Sequence, residues 1–108
     1  MVQPFSLDTE FDDETCVLKV RGEVDVVTSP KLLVAGRDAV RAGARQLTVD
    51  LLDVTFMDSS GLTALINLHR AAGRLRVVCH DGPVRRLFAL TATETLLGVE
   101  GIALQRGA

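Results

Sequence analysis

Residues 54 to 62 read Val54-Thr55-Phe56-Met57-Asp58-Ser59-Ser60-Gly61-Leu62. An apolar stretch ends at Met57, three small polar residues follow, and helical periodicity begins. This is the pattern of a strand handing over to a helix. With Asp58 as N-cap, its carboxylate accepts from the free N–H groups of the first helical turn. Met57 and Leu62 then occupy the two positions of a hydrophobic staple. Ser59 stands at the first helical position with its hydroxyl directed outward, and Gly61 allows the backbone to approach a neighbour closely.

Working outward, Ser59 to Ala72 is predicted as a helix closed by Gly73, and Leu47 to Leu51 as the strand before it. Leu75 to Cys79 follows as a strand, Val84 to Leu90 as a helix after Pro83, and Ile102-Ala103-Leu104 as a weak final strand. Upstream, Phe5 to Phe11 alternates apolar and polar residues, Asp12-Asp13-Glu14 makes a turn, and alternation resumes from Cys16 to Gly22. These two segments read as a hairpin. Thr28-Ser29-Pro30 starts another helix, with a hydroxyl cap and Pro in the first turn. Its apolar face is Leu32, Ala35, Gly36, Ala39 and Val40, and Gly43 ends it. Strand–helix alternation calls for right-handed crossovers. The expected fold is therefore α/β, a mixed sheet of four to five strands, mostly parallel after the N-terminal hairpin, with helices packed on it. Without repeats or linkers, residues 1–108 read as one domain.

Composition narrows the function. The 108 residues carry 12 Lys or Arg against 14 Asp or Glu, a net charge of −2, with four Phe and no Trp or Tyr. That balance argues against a nucleic-acid binder built on charge and stacking. The longest stretch without a charged residue runs only from Ser59 to His69, too short to span a bilayer. Met1-Val2-Gln3-Pro4 lacks the basic-then-apolar pattern of a signal peptide, so the expected compartment is the cytoplasm. Cys16 and Cys79 sit in strand-like segments and read as buried thiols. His69, His80 and the cysteines lack the paired spacings of a metal site, and the glycines form no phosphate loop. A nucleophile elbow around Ser59 would need Gly at position 57, where Met stands. His69 lies about 15 Å further along the same helix. That leaves His80 as a base for serine hydrolysis only if the fold carries it to Ser59.

The segment from Val54 to Leu62 resembles the signature of bacterial anti-sigma factor antagonists of the STAS domain family. The surrounding pattern agrees, with Gly22-Glu23-Val24-Asp25 before the first helix and Leu47-Thr48-Val49-Asp50-Leu51 before the signature. The similarity runs from about Phe5 to Leu90. It implies a partner-switching regulator of transcription rather than an enzyme. Its cognate partner is an anti-sigma factor that is also a serine kinase and carries the ATP and Mg²⁺, so the chain needs no cofactor of its own. The unphosphorylated antagonist binds that partner and releases the sigma factor. Phosphorylation on Ser59 ends binding, and a serine phosphatase resets it. The implied partner surface is Asp25, Val26, Val27, Thr28 and Ser29 together with Asp58, Ser60, Gly61 and Leu62, on a chain that is monomeric when free. Val26 and Val27 are adjacent and cannot both point inward, so one is expected to face solvent. The same resemblance admits a scaffold subunit or a lipid-transport complex subunit, and a small serine hydrolase stands as the reading from another class. After the third helix, Thr91-Ala92-Thr93-Glu94 departs from the family's usual Thr-Gly-Leu-like turn.

Overall fold

The structure, a computed structural model, describes residues 4–90 and 99–101. Two strands open the chain, β1 (Ser6–Asp12) and β2 (Thr15–Val24), joined by a tight turn in which Asp13 takes a positive φ of 58°. Asp is one of the few side chains that tolerates this region. The chain continues as α1 (Ser29–Arg41), β3 (Gln46–Met57), α2 (Ser59–Ala72), β4 (Leu75–Cys79), α3 (Pro83–Leu90) and β5 (Val99–Gly101).

The described strands form one sheet in the order β1-β2-β3-β4-β5. The β1–β2 pair is antiparallel and every later pair is parallel. With strands added in one direction, right-handed crossovers carry all three helices to the same face. Burial along β2 records this asymmetry. Cys16, Leu18, Val20, Gly22 and Val24 are buried, while Thr15, Val17, Lys19, Arg21 and Glu23 on the other face are half-buried. That second face carries ion pairs of 3.6 Å from Lys19 to Glu10 and from Arg21 to both Asp8 and Asp53. Their partly exposed groups make each worth at most about 1 kcal/mol. The core lies under the helices, where Leu18, Leu32, Leu47, Leu51, Leu65, Leu68 and Phe88 are fully buried. Cys16 and Cys79 are buried as thiols, and burial pushes the Cys16 thiol above its usual value.

Most expected elements stand where the sequence puts them, with two extensions. The strand expected at Leu47–Leu51 continues to Met57, and the one expected to end at Gly22 continues to Val24. The register between them shifts at Lys19/Arg21 and again at Gly22/Glu23. Buried positions on β3 therefore change from a spacing of two (Leu47, Val49, Leu51) to a spacing of three (Leu51, Val54, Met57). A period-two reading stops where the first bulge begins. The expected strand at Ile102-Ala103-Leu104 and the Thr91-Ala92-Thr93-Glu94 segment lie outside the described residues; the last described strand pairs Val99 with Val77. No helix among the described residues is long and apolar enough to cross a membrane.

Candidate functional site

Strands β2 and β3 end side by side, with Val24 opposite Met57. The Asp58 N–H donates to the Val24 carbonyl at 3.2 Å, tying the two chain exits together. A helix begins just beyond each exit, so two helix N-termini share the carboxyl edge of the sheet. Parallel sheets gather functional groups at this edge.

At the start of α2, Asp58 is extended (φ −109°, ψ −171°), as an N-cap should be. Its Oδ1 accepts from the Ser60 N–H at 2.9 Å and also from the Ser60 hydroxyl. Ser60 is half-buried and Ser59 exposed. The Ser59 carbonyl accepts from the Thr63 hydroxyl at 3.0 Å, but its own hydroxyl has no hydrogen-bond partner among the described residues. Gly61 is buried because α2 starts hard against the strand ends. A Cβ there would stand 2.8 Å from Cγ of Met57 and 2.8 Å from Cγ1 of Val24.

The loop before α1 is clamped by its own side chains. The Asp25 carboxylate accepts from the Val27 N–H at 2.9 Å and the Thr28 N–H at 3.0 Å. The Thr28 hydroxyl donates to the Glu23 carbonyl at 2.8 Å and accepts from the Asp25 N–H at 2.9 Å. The Thr28 N–H is the main cause holding the Asp25 carboxyl below the usual carboxylate range, helped by the Val27 N–H and the Thr28 hydroxyl against opposing desolvation. The expected hydroxyl cap is accordingly corrected. Thr28 occupies the N-cap position but makes no side-chain cap bond, because its hydroxyl is engaged upstream.

Val26 and Val27 both protrude, 73% and 70% exposed, where only one was expected to face solvent. The Asp25 clamp turns the backbone outward at both. Three residues expected on a partner surface are largely covered, Ser29 at the wall of a groove between α1 and α2. Ser29, Gly61 and Leu62 are buried, since the first turn of each helix packs inward. Asp25, Thr28, Asp58 and Ser60 are half-buried, leaving Val26, Val27 and Ser59 as the most open. Sequence reasoning missed a groove of about 350 Å³ between α1 and α2, lined by Val26, Ser29, Pro30 and Leu33 and by Ser60, Thr63, Ala64 and Asn67. The α2 set follows the i, i+3, i+4, i+7 spacing of one helical stripe, and Ser29, Pro30 and Leu33 share one face of α1, with Val26 added from the preceding turn; the stripe on α2 is the signal that could have found the groove. None of the lining residues is charged. His80 lines a separate hollow of about 60 Å³ with Thr55 and Asp81, and His69 lies in the last turn of α2. Neither borders the groove that Ser60 lines.

A family model described as "Mlab, STAS domain" matches residues 7–98. The chain belongs to the STAS domain family. An anti-sigma-B factor antagonist of Staphylococcus aureus (strain NCTC 8325 / PS 47) is 30% identical over 98 residues, covering 87% of this STAS domain and 91% of the relative. An anti-sigma factor antagonist from Mycobacterium paratuberculosis superposes with a TM-score of 0.82 at 29% identity, over 89% of this chain and 85% of that one. The anti-sigma factor antagonist SpoIIAA in its unphosphorylated form shares the fold at a TM-score of 0.76 and 21% identity, over 91% of this chain and 87% of that one.

Proposed function

We propose that this STAS domain is an anti-sigma factor antagonist switched by phosphorylation of Ser59, and that it acts as substrate and partner rather than as an enzyme. The observation that carries this is an exposed serine hydroxyl without a hydrogen-bond partner among the described residues, on the first turn of a helix, beside two protruding valines and an uncharged groove. The unmodified face docks an anti-sigma factor and frees its sigma factor in the cytoplasm.

That partner is also the kinase, bringing ATP and Mg²⁺. Ser59 Oγ attacks the γ-phosphorus, the bond to the β,γ-bridging oxygen breaks, ADP leaves, and the hydroxyl proton passes to a base on the partner. Catalysis of this kind rests on positioning and charge stabilisation, which the kinase supplies. The product adds a charge of about −1.5 to −2 over the N–H donors of the first turn, where an anion is tolerated. The fold keeps its core, while a partner that docked a neutral hydroxyl must now desolvate a dianion. A serine phosphatase hydrolyses the phosphate and resets the switch.

The test is capture from native cells on Ser59→Ala protein, followed by incubation of the captured kinase with wild-type protein and Mg-ATP. Phosphopeptide mapping should put the label on Ser59. Label on a threonine or on Ser60, with Ser59 unmodified, would overturn the proposal.

A further inference from the structure

Resting on the phosphorylation switch described above, we propose that Asp58 is the positioning residue that makes Ser59, and not its neighbour Ser60, the phosphoryl acceptor. The two side chains are chemically identical and adjacent, so intrinsic reactivity cannot separate them. Their surroundings can. Asp58 Oδ1 holds Ser60 twice, through the N–H at 2.9 Å and through the hydroxyl, and the side chain is half-buried. Ser59 is exposed and its hydroxyl has no partner among the described residues.

Phosphorylation of Ser60 would require its hydroxyl to leave the carboxylate and rotate outward, and the product would set a dianion against Asp58. Phosphorylation of Ser59 breaks no bond within the protein. The carboxylate could also activate Ser60 by taking its proton. Phosphoryl transfer, however, passes through a loose transition state that gains more from positioning than from a base. A hydroxyl held inward is poorly positioned, so the bond works against Ser60. A hydrogen bond to a charged group that must first be broken corresponds to about a 10- to 100-fold preference for Ser59.

The test uses the kinase captured above, with Mg-ATP and full-length Asp58→Asn and Asp58→Ala proteins, each with and without Ser59→Ala. Asn caps a helix about as well as Asp, so Asp58→Asn keeps the fold while removing the charge. The readout is the Ser60-to-Ser59 ratio in phosphopeptide mass spectra, which a merely structural role would not move. The expected result is a Ser60 share raised about 10- to 100-fold in Asp58→Ala and by less in Asp58→Asn. In the Ser59→Ala background, labelling of Ser60 should be about 10- to 100-fold faster with Asp58→Ala than with Asp58 intact. Exclusive labelling of Ser59 in both folded Asp58 variants would overturn the role of Asp58 while leaving the Ser59 switch standing. No label on Ser59 in the wild type would overturn both.

Discussion

Replacing Gly61 by Ala tests the contact that seats α2 on the sheet. The new Cβ would stand 2.8 Å from Met57 Cγ and from Val24 Cγ1. Carbon atoms rest about 3.5–4.0 Å apart, so something must move. Met57 has rotatable bonds to spare, but Val24 is fully buried and β-branched, with little freedom at χ1. Overpacking of this kind costs about 1–3 kcal/mol, and the better helix propensity of Ala returns at most about 1 kcal/mol. A net loss of about 1 kcal/mol is expected, a fall in Tm of about 4–8 °C for a domain near this size. Urea unfolding followed by circular dichroism gives the number, and a second variant identifies the cause. Val24→Ala removes the offending Cγ1 at its own cost of about 2 kcal/mol. In that background Gly61→Ala should cost about 1 kcal/mol less than in the wild type, a coupling typical of residues in contact. Strict additivity, or a Gly61→Ala protein that melts higher than wild type, would refute the close-packing account.

Other perturbations address the face above that contact. Val26→Glu and Val27→Arg should each weaken anti-sigma factor binding at least about tenfold in calorimetric titration while moving stability by less than about 0.5 kcal/mol. Equal losses of binding and stability would mean the valines belong to the core. Ser59→Asp supplies one charge where phosphate supplies about two, so its affinity for the anti-sigma factor should fall between those of the unmodified and phosphorylated proteins. Asp25 has a pH signature. Its carboxyl is held below the usual range, so its stabilising effect is complete above the unfolded-state value and lost as pH falls through the lower folded one. The difference in Tm between wild type and Asp25→Ala should therefore be constant near neutral pH and shrink as the pH falls below the ordinary carboxylate range of about 4. A difference that stays constant there would mean the loop does not depend on the ionised carboxylate.

How far the sequence carried depended on whether the deciding interactions were local. Helix α2 was legible to the residue because both its signals lie within a turn of its ends. Asp58 caps the start, and Gly73 takes the left-handed conformation (φ 80°) at the close. Strand β4 alternates cleanly from Leu75 to Cys79. The second half of β3 was harder to read, because its pattern follows the bulges against β2 rather than the pleat of a regular strand. The outward turn at both valines was hidden for a similar reason. It needs the Thr28 hydroxyl to reach back five residues to the Glu23 carbonyl, leaving the cap position without a side-chain bond. The groove required a partner helix. Its two stripes are written in the sequence, but only the packing of α1 on α2, with Gly36 against Leu68, brings them face to face.

The direction of the proposed switch follows from what surrounds Ser59. A new phosphate can lose its partner in two ways, by rearranging the protein or by changing only the charge of the face. Rearrangement would require the phosphate to draw a basic group of this chain toward itself. None of the residues lining the adjacent groove is basic, and the nearest capping carboxylates, Asp58 and Asp25, repel an added dianion. The backbone beneath is held by the Asp58 N–H on Val24 and the Ser29 N–H on Asp25 at 2.8 Å, over a fully buried Val24. With no basic residue lining the adjacent groove and a tied backbone below, the phosphate points into the space a partner would occupy. Binding then persists only if the partner itself supplies the compensating charge. The charge that stabilises the transfer arrives with Mg-ATP and its Mg²⁺ departs with ADP, so the docked face of valines and uncharged groove is left with an uncompensated dianion, and phosphorylation should act as release.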